Sequence, residues 1–364
     1  MNLLILAPAS NVHTLRWCNA FDQMGHKVYL ASQHKKINGY NEDIEFIDLP
    51  VKNIFGYYLN SYILENKVKD LNIDVVNIHY ASGYGTLGRL LGFVNTVITT
   101  WGSDILIYPK KNIFNKKILI KNLRCAKKIT AASYILAQET SLYTKTKVDI
   151  VPFGVVVNDF KKDLRNLCEK IKNDEKIYIG TVKSLEDVYG IDILIRAFHF
   201  LITELLVDKK ELSKKLYLKI VGDGSLEKKY KKLAADLNIH EKIIFKPKVQ
   251  HSKVKSELDS LDIFCALSRS ESFGVSVVEA GINKLPIIVT EVGGFKELIS
   301  NHYNGILVPN EDFRAAATAL LFILNNPILA QEIGENAYTE FSQKFDWNNN
   351  VKSMLDIFYS LSES

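Results

Sequence analysis

Cysteine is scarce in this chain, with four in 364 residues. Cys18, Cys125, Cys168 and Cys265 stand far apart, with none of the paired spacings that hold zinc or staple a small secreted domain. Neither a zinc site nor a disulfide framework is expected, and a reducing cytoplasm fits. Arginine is scarce too, 7 against 39 lysines, so the formal net charge of +5 is a lysine excess. No finger, aromatic-rich RNA-recognition motif or arginine cluster occurs, so nucleic acid is not an expected partner. No Asp-x-Asp pair is present anywhere, and no catalytic metal is expected. No apolar run approaches the ~20 residues that span a bilayer. The apolar start, Met1 to Pro8, lacks a basic flank and breaks too early for a signal peptide. It reads as a first, buried strand.

What is present is ordinary globular material, 47% hydrophobic and 24% charged, long enough for about two domains. Short β-branched or apolar runs at 3–6, 27–31, 75–78, 97–100, 128–131 and 149–152 read as strands. Spaced apolar positions at 12–24 and 58–71 read as helices between them. The pattern restarts with strands at 176–180, 216–221, 242–245, 263–266, 286–290 and 305–308, and helices at 186–205, 225–237, 275–281 and 313–324. Such alternation predicts α/β architecture, with parallel sheets covered on both faces. The expected division is a first domain over 1–157, a linker or peripheral segment over 158–175, and a second domain over 176–345. A C-terminal helix over 346–364 would pack back on the first domain.

The chemistry concentrates at 268–280, Ser-Arg-Ser-Glu-Ser-Phe-Gly-Val-Ser-Val-Val-Glu-Ala. It follows an apolar strand and opens a helix near Phe273. Glu271 falls in the loop and Glu279 more than a turn inside the helix, about 7–8 Å beyond Gly274. A ligand along this element would meet a carboxylate, then backbone N–H groups suited to an anion, then a second carboxylate. Sugar, diphosphate and ribose come in that order in a nucleotide sugar. Two surface glutamates near a helix would be the plain alternative.

This stretch resembles the retaining glycosyltransferases of family four, whose hallmark is two glutamates separated by seven residues, with Phe-Gly after the first. The likeness continues through 281–286, 287–290, Gly293-Gly294, Glu297 and 304–308. Upstream it includes Val221-Gly222-Asp223-Gly224, Gly25-His26-Lys27-Val28, Trp101-Gly102-Ser103-Asp104 and 151–155. The resemblance implies a GT-B fold, two doubly wound Rossmann-like domains facing across a cleft, with ligands at the carboxyl ends of the sheets. It implies metal-independent transfer of a sugar from a nucleotide-sugar donor to a glycan or lipid-linked glycan hydroxyl, with retention, in polysaccharide biosynthesis. The nucleotide sugar is a substrate, a UDP-sugar favoured over a GDP-sugar, and no cofactor is expected. Glu271 and Lys183 would be catalytic. Gly222, Val249, Ser272, Phe273, Gly274, Val275 and Glu279 would bind the donor.

The chain departs from the family at three points. Relatives usually place an Arg and a Lys after the first strand of the second domain, whereas Lys183 is the only cation between Gly180 and Gly190. Arg269 and Lys248 are the alternatives for the diphosphate. Trp101 stands where many members have His, and Ser272 follows Glu271 where Gly is usual. Two other functions stay open: a GT-B nucleotide-sugar epimerase and a non-catalytic donor-binding subunit.

On the acceptor or phosphate side the candidates are His13, His79, Trp101 and Asp104. His13 follows the first strand and would bind a phosphate or hydroxyl, or cap a helix. His79 ends a strand ahead of the glycine-containing 81–85, which admits a ligand or merely closes a turn. Asp104 is a base or a helix cap. Between 105 and 138 there are eight basic residues and no acidic one, interleaved with Ile113, Phe114, Ile118, Leu119, Ile120 and Leu123. This segment would either make peripheral contact with the inner face of the membrane or form a solvated cationic face.

Overall fold

The computed structural model describes residues 1–157, 167–173 and 175–362. Most of the expected linker, 158–166 and 174, lies outside the described residues; Leu167–Lys172 is a short helix. The chain divides into two units, Met1–Phe153 with Asn348–Ser364, and Gly154–Trp347.

The first unit is built on seven parallel strands: β1 (Asn2–Leu6), β2 (Lys27–Ser32), β3 (Glu45–Asp48), β4 (Val75–His79), β5 (Thr96–Thr100), β6 (Lys128–Ala131) and β7 (Val148–Ile150). Their order is β3-β2-β1-β4-β5-β6-β7, so the winding reverses between β1 and β4. Leu3 to Leu6 are wholly buried, as a central parallel strand covered on both faces must be. β3 was not expected: only Phe46 and Ile47 are apolar in it, because an edge strand buries little. Asn11 starts the helix Val12–Gln23 by accepting the His13 N–H at 2.8 Å. The C-terminal helix Trp347–Ser362 returns to this unit and sets Phe358 against Phe21, ring centroids 5.3 Å apart.

The second unit has six parallel strands: β8 (Ile177–Val182), β9 (Leu216–Val221), β10 (Ile243–Lys246), β11 (Ile263–Ala266), β12 (Ile287–Thr290) and β13 (Ile306–Val308). Their order is β10-β9-β8-β11-β12-β13, and the winding reverses between β8 and β11. Ile179, Leu218, Phe198 and Leu320 lie at the centre of the core. The expected helix over 186–205 is broken. Residues Asp187–Tyr189 form a 3-10 turn, Gly190 takes a left-handed φ of 60°, and the α-helix runs Ile191–Phe200 before a π-turn at Leu201–Leu205. The cause is a close approach: a Cβ on Gly190 would lie 1.9 Å from the Leu267 carbonyl oxygen. The helix Pro327–Lys344 was also unexpected. Its buried positions Ala330, Ile333, Gly334, Ala337 and Phe341 repeat at helical spacing but are mostly small, so the apolar signal is weak.

Candidate active site

The reversal point of the second sheet gathers the charged groups. Lys183 is one residue beyond β8, and Glu271 lies in the loop after β11, the neighbouring strand. Lys183 Nζ sits 2.5 Å from Glu271 Oε2, and the two side chains are only 12% and 13% exposed. Tyr189 supports the ammonium from one side, its ring centroid 4.5 Å away. Open α/β sheets bind ligands where the strand order reverses, outside the carboxyl ends.

Three backbone approaches hold the loops. Gly222, after β9, has φ 153°, and a Cβ there would lie 1.9 Å from the Lys183 carbonyl oxygen. The Gly294 N–H donates to the Glu271 carbonyl at 2.8 Å, and the Arg269 N–H to the Val188 carbonyl at 2.8 Å. Arg269 is not a free phosphate cation. Its guanidinium donates to Asp192 at 2.8 and 3.1 Å and to Glu311 at 2.6 Å. Burial pushes the Asp192 carboxyl up, but Arg269 outweighs it and holds the pKa below the usual value. The Arg269 pKa is raised above its ordinary value, first by the bond to Asp192. Arg269 therefore fastens the loop carrying Tyr189 to the loop carrying Glu271. Sequence reasoning missed this clamp, although an arginine in so lysine-rich a chain signals bidentate pairing. Lys248 is exposed.

Beyond Glu271 the helix Val275–Ile282 begins at Gly274, whose φ is 107°. Glu279 is buried in its second turn, with His251 Nδ1 3.8 Å from Oε1. Ser272, Val275 and Val249 are partly exposed. Phe273 lies just ahead of Gly274. Its ring is buried, 5.3 Å from the ring of Phe345, so only its backbone is left for a donor.

In the first unit the aromatic residues cluster after β1, β4 and β5. His13 lies 4.5 Å from Phe153 and 5.7 Å, edge-on, from Trp101; Trp101 in turn lies 4.9 Å from Tyr80 and 5.0 Å from His79. His13 is partly exposed, whereas Trp101, His79 and Asp104 are buried. Asp104 binds backbone on both sides of it. Its Oδ2 accepts the Ala81 N–H at 2.7 Å, and Oδ1 accepts those of Trp101 and Gly102 at 3.1 and 2.9 Å. It ties the loop after β4 to the loop after β5, and burial raises its pKa despite these bonds.

His79 is likewise buried. Asn77 donates its amide to Thr99 Oγ1 at 3.0 Å, so its oxygen accepts from His79 Nε2 at 2.9 Å. Nδ1 is then a bare, buried lone pair. Burial lowers the His79 pKa from 6.5 to about 3. The folded state keeps the ring neutral, while the unfolded chain takes up a proton below pH ~6.5. Stability should therefore fall as pH drops below ~6.5, by up to ~1.4 kcal/mol per pH unit, until the folded pKa is reached. Thermal unfolding of wild type and His79→Gln between pH 7 and 4.5 checks this. Parallel loss in both proteins would show that another group titrates.

Residues 166–340 match the family described as glycosyl transferases group 1, and residues 2–133 match the family described as glycosyl transferase 4-like. The chain is a glycosyltransferase, with a group 1 domain in its second half and a 4-like domain in its first. Among its relatives is N-acetyl-alpha-D-glucosaminyl L-malate synthase of Bacillus anthracis, 26% identical over 93% of this glycosyltransferase and 90% of the relative. An uncharacterized glycosyltransferase of Methanocaldococcus jannaschii is 27% identical over 85% and 82% of the two chains. Solved structures agree on the fold. Sucrose-phosphate synthase from Thermosynechococcus elongatus superposes with a TM-score of 0.83 at 15% identity, covering 99% of each chain. HepE of Anabaena, solved in complex with UDP-glucose, gives 0.79 at 16% identity, covering 99% of this chain and all of that one. The two units are the Rossmann-like domains of a GT-B glycosyltransferase. Among the described residues, no single helix of the enzyme is long and apolar enough to cross a membrane.

Proposed function

We propose that this glycosyltransferase moves a sugar from a nucleotide-sugar donor, a UDP-sugar before a GDP-sugar, to a hydroxyl of a glycan or lipid-linked glycan, with retention at the anomeric carbon. The observation that carries the reading is the Lys183–Glu271 pair at the reversal point of the second sheet. It sets a cation for a diphosphate beside a carboxylate for sugar hydroxyls, ahead of a helix whose first N–H groups face the same loop. Glu279, one turn further on, accepts hydrogen bonds from the ribose. The UDP-glucose bound to HepE and the glucosaminyl transfer in the name of the Bacillus anthracis relative support a nucleotide-sugar donor.

The bond from the anomeric carbon to the diphosphate breaks on the face that the acceptor oxygen enters. The departing phosphate oxygen takes the acceptor's proton. Lys183 and the helix start carry the growing negative charge, and the protein contributes positioning and electrostatic stabilisation. With the charge met this way, transfer should proceed in the presence of a chelator. The four cysteines are all free, which supports a reducing cytoplasm as the site of action.

The experiment is transfer from a panel of UDP- and GDP-sugars to glycan acceptors in the presence of a chelator, with product configuration read by NMR. Retained configuration is expected. Glu279→Ala should raise the donor KM about 10- to 150-fold with little change in kcat, the loss of one charge-assisted hydrogen bond of ~1.5–3 kcal/mol. An epimerised nucleotide sugar from donor alone would replace the reading with an epimerase. Donor binding without turnover on every acceptor would replace it with a binding subunit.

A further inference from the structure

The first unit carries a face that its own core does not explain. Helices Gly56–Val68, Gly83–Leu91 and Ile113–Leu123 follow β3, β4 and β5 and make crossovers in the same direction along the sheet. Right-handed crossovers place all three on one side of it. The middle helix is buried over Tyr84 to Gly88. Tyr57 meets Tyr84 edge-on at 5.3 Å on one flank, and Asn122 donates to the Ala81 and Ser82 carbonyls at 2.9 Å on the other.

The two outer helices turn large apolar side chains to solvent where a helix of a water-soluble domain turns polar ones. Phe55 is 66% exposed, Tyr62 72% and Phe114 72%, with Ile54 and Ile113 beside them. Ile54, Phe55, Ile113 and Phe114 stand at the starts of their helices, at the carboxyl edge of the sheet. Lys111, Lys116 and Lys117 are exposed among them. No acidic residue occurs from 49 to 64 or from 105 to 138. The ion pairs that reach the edges of this face are Lys52 with Asp48 and Lys110 with Glu139, and none involves Lys111, Lys116 or Lys117 among the pairs of the described residues.

We infer that this face docks on an anionic lipid surface. The aromatic and aliphatic tips enter the headgroup boundary, and the lysines meet acidic headgroups from the end of their apolar stems. The charge selects the occupant. A second copy of this chain on the same face would set lysine against lysine across the two-fold axis. A zwitterionic surface would leave the lysines without partners. The basic segment read from sequence is thus only part of the surface; the helix Gly56–Val68 supplies the aromatic remainder. Docked this way, the carboxyl edge of the first sheet faces the membrane, where a lipid-linked acceptor would be presented. That last consequence rests on the transfer reading, whereas the docking does not.

The test is sedimentation of the full chain with vesicles of phosphatidylcholine alone and with vesicles rich in phosphatidylglycerol, without donor or acceptor. Binding to the anionic vesicles only, weakened by salt, is expected. Lys116→Glu with Lys117→Glu should reduce it by at least fivefold per lysine, and Phe55→Ser with Phe114→Ser should reduce it similarly at normal salt. All four side chains are exposed, so thermal unfolding of both double variants should match wild type. Absence of binding to anionic vesicles, equal binding to both kinds, or unaltered binding by the variants overturns the inference. So does a concentration-dependent dimer, seen by analytical ultracentrifugation, that the Phe55→Ser, Phe114→Ser variant abolishes. Sugar transfer is measured separately, so its failure would not be confused with any of these outcomes.

Discussion

Lys183→Ala should lower kcat about 10²- to 10³-fold, the loss of one strong donor to a transition-state charge. A diphosphate gains negative charge as it departs, so a cation there is worth more in the transition state than with bound substrate. The structure narrows the alternatives, because the guanidinium of Arg269 is taken up by Asp192 and Glu311. It also adds a consequence. Removing one partner of a largely buried ion pair leaves the other charge uncompensated. Glu271→Ala should therefore also lower kcat, and the double variant should lose much less than the product of the two single losses. Single-turnover rates at saturating donor check this. A Lys183→Ala enzyme within a few-fold of wild type would move the phosphate role to another residue, and strict multiplicativity would show that the pair acts as two independent groups.

Gly190→Ala should strongly destabilise the second unit. The residue has φ 60°, and the added methyl would meet the Leu267 carbonyl 1.9 Å away, a backbone atom with no freedom to turn aside. A left-handed conformation costs an L-residue ~1–2 kcal/mol, and overpacking costs a further ~1–3 kcal/mol. The calorimetric transition of the second unit should drop by about 6–12 °C. Because Gly190 follows Tyr189, the soluble fraction should also bind nucleotide sugar more weakly. An unchanged transition would mean that the loop moves without cost and that the close approach is not a constraint.

How far the sequence could be read depended on the kind of signal each element carries. Buried parallel strands announce themselves as short apolar runs, so β9 and β11 were placed residue for residue. β3, with two apolar residues between Glu45 and Asp48, carries no such run. Gly190 could be seen as a glycine but not as a helix break, since the Leu267 carbonyl that forces its conformation is remote in sequence. The same holds at the candidate site. The spacing of Glu271 and Glu279 was visible, whereas the contact between Lys183 and Glu271 joins residues 88 apart and depends on the strand order. The contacts of Asp104 were hidden for a related reason: the N–H groups of Ala81, Trp101 and Gly102 come from two loops that only the sheet brings together. Exposure is the least legible property. The helix Gly56–Val68 has aromatic residues at spacings equally suited to a core, and only the packed unit shows which face is left outside.

The return of the C-terminal helix to the first unit has a bearing on synthesis. The second unit is one continuous stretch, Gly154–Trp347, and can close as soon as it has left the ribosome. The first unit cannot close then, although its sheet emerged earlier. Phe21 waits uncovered for Phe358, and His26 for the ring of Tyr359, 6.0 Å away in the finished fold. The order of completion is thus inverted relative to the order of translation. The unit whose strands are made first is the last to become native, and a chain cut short after residue 347 would have one finished half and one still open.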